Sequence, residues 1–337
     1  MSKPEAVIQT RKVMLRNASE VFSKLIGTKR LNLWLIYNSD APSDDWNGID
    51  YLVGKLPCHS GSMSQIYKAW DFKKDMFVAV KTLHDVWQKN TKYKQLIELE
   101  AMTLQKINHP GILKIYGITY DSPPEKEPSP KMLMEYIEEE SLEKRLDSNN
   151  PLMISEAIET ISQVGSTIDY LSSKHNLFHG DINPNQILMS KPFKKLIDFS
   201  MSTAVSSDGD AYTPGFSAPE RQLNKTRNLA TEEFSLAATA YNIITGGVIN
   251  INFKTLDSLK VKFTKISKIN SKYDLNDVDI DKLNEIFEKA LATVPEDRYK
   301  SASEFADNFA EVMKNSKGLN KSFSHKALVL ARRIFGP

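Results

Sequence analysis

Cysteine is almost missing from this chain: Cys58 is the only one in 337 residues. That excludes an internal disulfide framework and points to a reducing compartment. An excess of one charge is missing too. The 44 Lys+Arg against 42 Asp+Glu leave +2, too near neutrality for a nucleic-acid binder. No uncharged apolar run reaches the roughly 18 residues of a membrane span, and the N-terminus has no apolar signal core. The expected location is therefore the cytoplasm, with delivery into another cell by a signal-less route left open. Internal repeats and low-complexity tracts are absent as well. What remains is an ordinary globular composition, 41% apolar and 26% charged, long enough for one large domain or two moderate ones.

Along the chain the hydrophobic period changes. Ala18, Val21, Phe22, Leu25 and Ile26 recur at spacings of three and four, which predicts an amphipathic helix over residues 5–26, stopped at Gly27. The run Leu31–Tyr37 reads as a strand and 38–48 as a loop, so residues 1–49 form an ordered, largely helical extension. Strands are then predicted at Tyr51–Val53, Gln65–Trp70, Phe77–Leu83 and Ile112–Ile118. One helix, Lys92–Ile107, interrupts them, with Leu96, Glu100, Leu104 and Ile107 on one face. Beyond Ser141 helices dominate: Ser155–Lys174, Glu232–Thr245 and Ile280–Ala292. Strands followed by helices predict an α+β chain with a β-rich lobe and a helical lobe.

Within that frame certain residue types recur in one order. Phe77-Val78-Ala79-Val80-Lys81 puts a lysine on an otherwise apolar strand, and Glu100 on the next helix is its natural ion-pair partner. His179-Gly180-Asp181 opens a polar loop that runs through Asn183 and Gln186. Ile197-Asp198-Phe199 follows, and Thr213-Pro214-Gly215-Phe216-Ser217-Ala218-Pro219-Glu220 closes the segment. A lysine, a glutamate and two aspartates in this order suit phosphoryl transfer, which needs charge neutralisation, metal and positioning more than covalent chemistry.

These motifs resemble the eukaryotic-type Ser/Thr protein kinases, in a style close to bacterial members. The resemblance covers roughly residues 50–315 and implies a bilobal protein-kinase fold: an N-lobe, 50–134, with one regulatory helix, and a helical C-lobe, 138–315. By the same resemblance Asp181 is the catalytic base of an H-R-D-L-x-x-x-N-like loop, and Lys81 and Glu100 are the ATP-side ion pair. Asp198 and Gln186 hold Mg²⁺, and Gly61 belongs to the glycine-rich loop. Ile66, Ala79 and Leu188 sandwich the adenine, Met134 is the gatekeeper, and Glu135 and Ile137 face the base. Leu104, Ile115, His179 and Phe199 form the stack of the active conformation. Arg298, in Pro295-Glu296-Asp297-Arg298-Tyr299, pairs with Glu220, and Glu232 anchors the catalytic loop backbone. The implied cofactors are ATP and magnesium, and the implied partner is a protein substrate.

The departures from the pattern bear on activity. His59-Ser60-Gly61-Ser62-Met63-Ser64 keeps only the middle glycine of G-x-G-x-x-G. Gly180 replaces the arginine that receives an activation-segment phosphate, so Ser206 and Ser207 in that segment are not expected to switch the enzyme. Asn183 stands where a lysine neutralises the transferred phosphate, and Gln186 where an asparagine binds metal. An atypical or slow protein kinase is the leading expectation. A nucleotide-binding pseudokinase acting as scaffold or switch, and a small-molecule kinase, are the alternatives. The tail 316–337 reads as a basic amphipathic helix. Phe323, Ala327, Leu330 and Ile334 lie on one face, with Lys321, Lys326, Arg332 and Arg333 around it. Such a helix packs on its own protein, or uses residues 320–337 to dock on a partner or a membrane surface.

Overall fold

Alternation along Met76–Leu83 organises the first part of the molecule. Val78 and Val80 are fully buried on one face of this strand, while Ala79 and Lys81 point to the other. In the computed structural model the described residues are 33–37, 49–54, 57–71, 74–121, 129–148, 152–199, 212–224, 227–252, 260–267, 271–273, 275 and 277–314. They fall into two units, one running to Asn108 and resuming at Lys114–Ile137, the other made of His109–Leu113 and the chain from Glu138 onward. The predicted helix over 5–26 and the tail helix over 316–337 lie outside the described residues.

The first unit is an antiparallel sheet with one helix. Its strands are β1 (Leu33–Tyr37), β2 (Ile49–Gly54), β3 (His59–Ser60), β4 (Ser64–Asp71), β5 (Met76–Leu83), β6 (Ile115–Asp121) and β7 (Ser129–Glu135). They follow the order β1-β2-β4-β5-β7-β6, with β3 paired to β4 off that path. Val53, Ala69, Val78, Val80 and Leu133 make the buried cluster of one sheet face, and Tyr67, Met76 and Tyr116 pack against it. The helix α1 (Thr91–Leu104) starts where the Asn90 side chain accepts from the Lys92 and Tyr93 amides. It packs against β6 and β7.

Three local expectations shift. β1 is the strand predicted from Leu31–Tyr37. It pairs with β2, Leu33 opposite Gly54 and Leu35 opposite Leu52, so the division after residue 49 cuts into β2 and parts two partnered strands. The buried face of α1 carries Ile97, Glu100, Ala101 and Leu104, with Ile97 rather than Leu96 in the core. The strand expected at Ile112–Ile118 begins at Ile115. Ile112 instead bridges Leu196 and belongs to the second unit.

The second unit is built on helices α2 (Leu142–Asp147), α3 (Ile154–His175), α4 (Pro219–Asn224), α5 (Leu229–Thr245), α6 (Ile280–Ala290) and α7 (Ala302–Met313). α3 packs on α7 and α5. Gly165 permits the close approach, because a Cβ there would stand 3.0 Å from the Ala302 carbonyl. The Asp169 carboxylate caps α7, accepting from the Ala302 and Ser303 amides at 3.0 and 2.9 Å. α5 is buried nearly all round, as its Phe234-Ser235-Leu236-Ala237-Ala238 sequence requires. Two short hairpins complete the unit: β8 (Ile187–Leu188) with β9 (Lys195–Leu196), and β10 (Asn250–Asn252) with β11 (Lys260–Lys262).

Candidate active site

In the first unit the strand lysine and the helix glutamate meet. Lys81 Nζ lies 3.0 and 2.8 Å from the two Glu100 oxygens, and both residues are at most 5% exposed. A buried ammonium needs such a partner, because desolvating either charge alone is unfavourable. Strand register puts Ala79 opposite Met134 and Lys81 opposite Ile66, so these predicted nucleotide residues share one neighbourhood. Glu135 turns both its amide and its carboxylate to Lys114: its N–H donates to the Lys114 carbonyl at 2.9 Å, and its Oε1 accepts from the Lys114 N–H at 2.8 Å. Ile137 follows, half-buried.

The second unit assembles the acidic loop. Glu232, fully buried in the first turn of α5, accepts from the His179 N–H at 3.0 Å and the Gly180 N–H at 2.8 Å. Burial pushes its carboxyl up to about 7, against the pull of those two amides. Gly180 sits at φ +81, in the left-handed region where a side chain would be strained. The His179 ring donates from Nε2 to the Ile197 carbonyl at 2.8 Å, since a carbonyl only accepts. It also packs 4.6 Å from the Phe199 ring.

Asp181 is held from two sides. The Thr213 hydroxyl donates to its Oδ1 at 2.7 Å, and the Asn183 amide donates to its Oδ2 at 3.1 Å. Asn183 Nδ2 also lies 3.2 Å from Thr213 Oγ1, and Asn183 Oδ1 caps the next turn at the Asn185 N–H. Burial pushes the Asp181 carboxyl up to about 6. The Thr213 bond opposes this, the Asp198 charge adds to it, and Arg221 opposes it. Asp198 itself holds φ +61, an unfavourable conformation for a residue with a side chain. Gln186 donates its N–H to the Asn183 carbonyl and accepts from the Ile197 N–H, which fixes its backbone beside the Ile197–Asp198 turn. Leu188 is half-buried in β8.

Oxygen donors from Asp198 and Gln186 suit a hard divalent cation that also binds phosphate oxygens. Among the described residues no group of three or more His, Cys, Asp or Glu forms a self-sufficient metal site. Gly61, Ile66, Ala79, Lys81, Met134, Ile137 and Leu188 all lie at described positions. The predicted anchor of the closing segment is also formed. Arg298 meets Glu220 through two bonds of 2.7 and 2.9 Å, and donates further to the Ala230 and Ala292 carbonyls.

Two side chains at this site escaped the sequence reading. Thr213 opens a stretch already marked by its motif, so its position offered a signal. Arg221, buried, donates from Nε to the Gly180 carbonyl at 3.4 Å, and its charge favours the ionised forms of Asp181 and Glu232. Nothing in its local sequence marks it.

Residues 59–314 match the protein kinase domain. The chain belongs to the protein kinase family. Over 263 residues it is 26% identical to the serine/threonine-protein kinase PknB of Mycolicibacterium smegmatis, covering 75% of this chain and 41% of that protein. Over 195 residues it is 26% identical to PrkC of Bacillus subtilis, covering 56% of this chain and 29% of that one. The chain thus spans about two-fifths of the first of these kinases and less of the second. The crystal structure of the Mycobacterium tuberculosis PknI kinase domain is similar in fold. Its TM-score is 0.58 at 21% identity, covering 78% of this chain and 96% of that domain. Among the described residues no helix is long and apolar enough to cross a membrane.

Proposed function

We propose that this member of the kinase family is an active Ser/Thr protein kinase, atypical or slow, that transfers the γ-phosphate of ATP to a protein hydroxyl in the cytoplasm. The observation that carries the reading is the Asp181 carboxylate, held by Thr213 at 2.7 Å and Asn183 at 3.1 Å on a loop whose backbone Glu232 anchors. A carboxylate oriented this way accepts the proton of a substrate hydroxyl and aims its oxygen. Bound Mg²⁺ and ATP supply the phosphoryl group and the cation charge that offsets its oxygens. Lys81, steadied by Glu100, would direct its ammonium at phosphate oxygens, and Asp198 with Gln186 would hold the metal. By the family resemblance Met134, Glu135 and Ile137 would border the base, and Ile66, Ala79 and Leu188 would lie on its faces. Asn183 acts on the aspartate rather than on the transferred group, so the charge a lysine would bring is missing. A slow enzyme is the expected consequence.

One observation favours a second reading, a nucleotide-binding pseudokinase acting as scaffold or switch: side chains at His59 and Ser64 where the cradle has glycines in the family pattern. The small-molecule kinase reading is weaker, because the Thr213–Glu220 segment and its Arg298 anchor suit docking of a polypeptide. The test is transfer of labelled γ-phosphate from ATP with Mg²⁺ to the protein itself and to a generic protein substrate. Label on serine or threonine is expected. ATP binding with no transfer under any divalent cation would favour the pseudokinase.

A further inference from the structure

The loop His59–Ser64 is held more firmly than its short strand pairing provides. β3 contributes only His59 opposite Ile66 and Ser60 opposite Gln65, and a two-residue pairing is marginal by itself. The Gly61 N–H closes the tip by donating to the Ser64 carbonyl at 2.9 Å, and the Cys58 N–H donates to the Ile66 carbonyl at 2.8 Å. Two further ties come from outside the hairpin, both from His84, the first residue after β5. Its main-chain N–H donates to the Met63 carbonyl at 3.0 Å. Its ring Nε2 lies 2.8 Å from the Gly61 carbonyl. That carbonyl only accepts, so Nε2 carries the hydrogen.

Gly61 has no internal reason to be glycine. A Cβ there would meet nothing closer than the Ser64 carbonyl at 3.6 Å, ordinary contact, and its φ lies outside the left-handed region. The remaining use for a bare backbone is close approach by a group from outside. We propose that His84 is a positioning residue for the nucleotide phosphates: by fixing the Gly61 and Met63 carbonyls it presets the loop tip. The inference rests on the reading of residues 59–64 as a phosphate cradle. Flanking glycines leave a cradle free to adapt, whereas here a side-chain strut fixes it in advance, and a preset loop loses less freedom when the ligand arrives.

The experiment is calorimetric titration of the full chain with two probes, ATP with Mg²⁺ and adenosine, on the wild type, His84→Leu and His84→Gln. His84→Leu is expected to weaken ATP binding about two- to tenfold, the worth of one net hydrogen bond, and to leave adenosine binding unchanged. His84→Gln, whose Nε2 amide donates from a similar place, is expected to restore ATP binding to near the wild-type value. His84→Leu protein that binds ATP like the wild type overturns the inference, as does equal loss of both ligands. The titration reads binding alone, so the expected pattern supports the strut even where the separate γ-phosphate transfer assay overturns the kinase reading. A wild type that binds neither probe overturns both.

Discussion

At the residue scale, burial keeps carboxylates in low-dielectric surroundings for different ends. Asp181 has its carboxyl pushed to about 6 by burial. Accepting a proton requires the ionised form, so the transfer rate should fall tenfold per unit once pH drops below that value. Magnesium held by Asp198 would offset one of the lesser influences raising it, so the acid limb is expected no higher than about pH 6. A rate–pH profile at saturating ATP checks this, and a profile flat down to the ordinary carboxylate range contradicts it. Arg221 backs the same loop through the Gly180 carbonyl. Arg221→Met should lower kcat several-fold with little change in the KM for ATP, and Arg221→Lys should recover part of the loss by restoring the charge. Arg221 also marks the limit of what the sequence discloses. Lys81 and Glu100 were legible because an apolar strand and a helical face carry them locally. Arg221 acts on Gly180, 41 positions away, and only the folded loop brings them together.

At the scale of elements, α5 carries two consecutive glutamates with opposite fates. Glu232 is satisfied by two amides. Glu233, fully buried, has no hydrogen-bond partner at either carboxyl oxygen among the described residues. Burial pushes its carboxyl well above the ordinary range, although Arg298 pulls the other way, with Glu304 and Glu220 raising it and Lys289 lowering it. The folded protein therefore holds this proton more tightly than the unfolded chain. Its contribution to stability is complete below the ordinary glutamate range and is lost as pH rises toward the raised folded value. Glu233→Gln should thus flatten the decline of Tm with rising pH and leave the acid side nearly unchanged. Parallel melting curves for the variant and the wild type across that range would count against it. Arg298 beside it is bidentate to Glu220, and Arg298→Ala should lower stability by about 3–5 kcal/mol, since the glutamate stays behind without its cation. Denaturant unfolding measures this, and an unchanged midpoint would remove the anchor from the account. That pair was legible through the family motifs. The strand boundary at Ile115 was not, because Ile112 and Ile115 look alike in sequence but serve different units.

At the scale of the whole molecule, the composition, the order of strands and helices and the spaced motifs were enough to read a two-unit kinase from the sequence. The strand at Leu33–Tyr37 was legible as a strand, and so was β2 from Tyr51–Val53, but that the two pair was not, since pairing register leaves no local trace. No arginine precedes Asp181, and the buried Arg221 is directed at Gly180. Transfer should accordingly not depend on phosphorylation of the activation segment, and phosphatase-treated protein should keep its rate. The central claim, that Asp181 makes this family member an enzyme, is tested most directly by comparing wild type with Asp181→Asn. The measurement is transfer of labelled γ-phosphate at saturating ATP and Mg²⁺, with ATP affinity determined on the same preparations. The account predicts loss of about 10²–10⁴-fold in transfer with nearly unchanged ATP affinity. Equal transfer by the two proteins, or none by either, would contradict it.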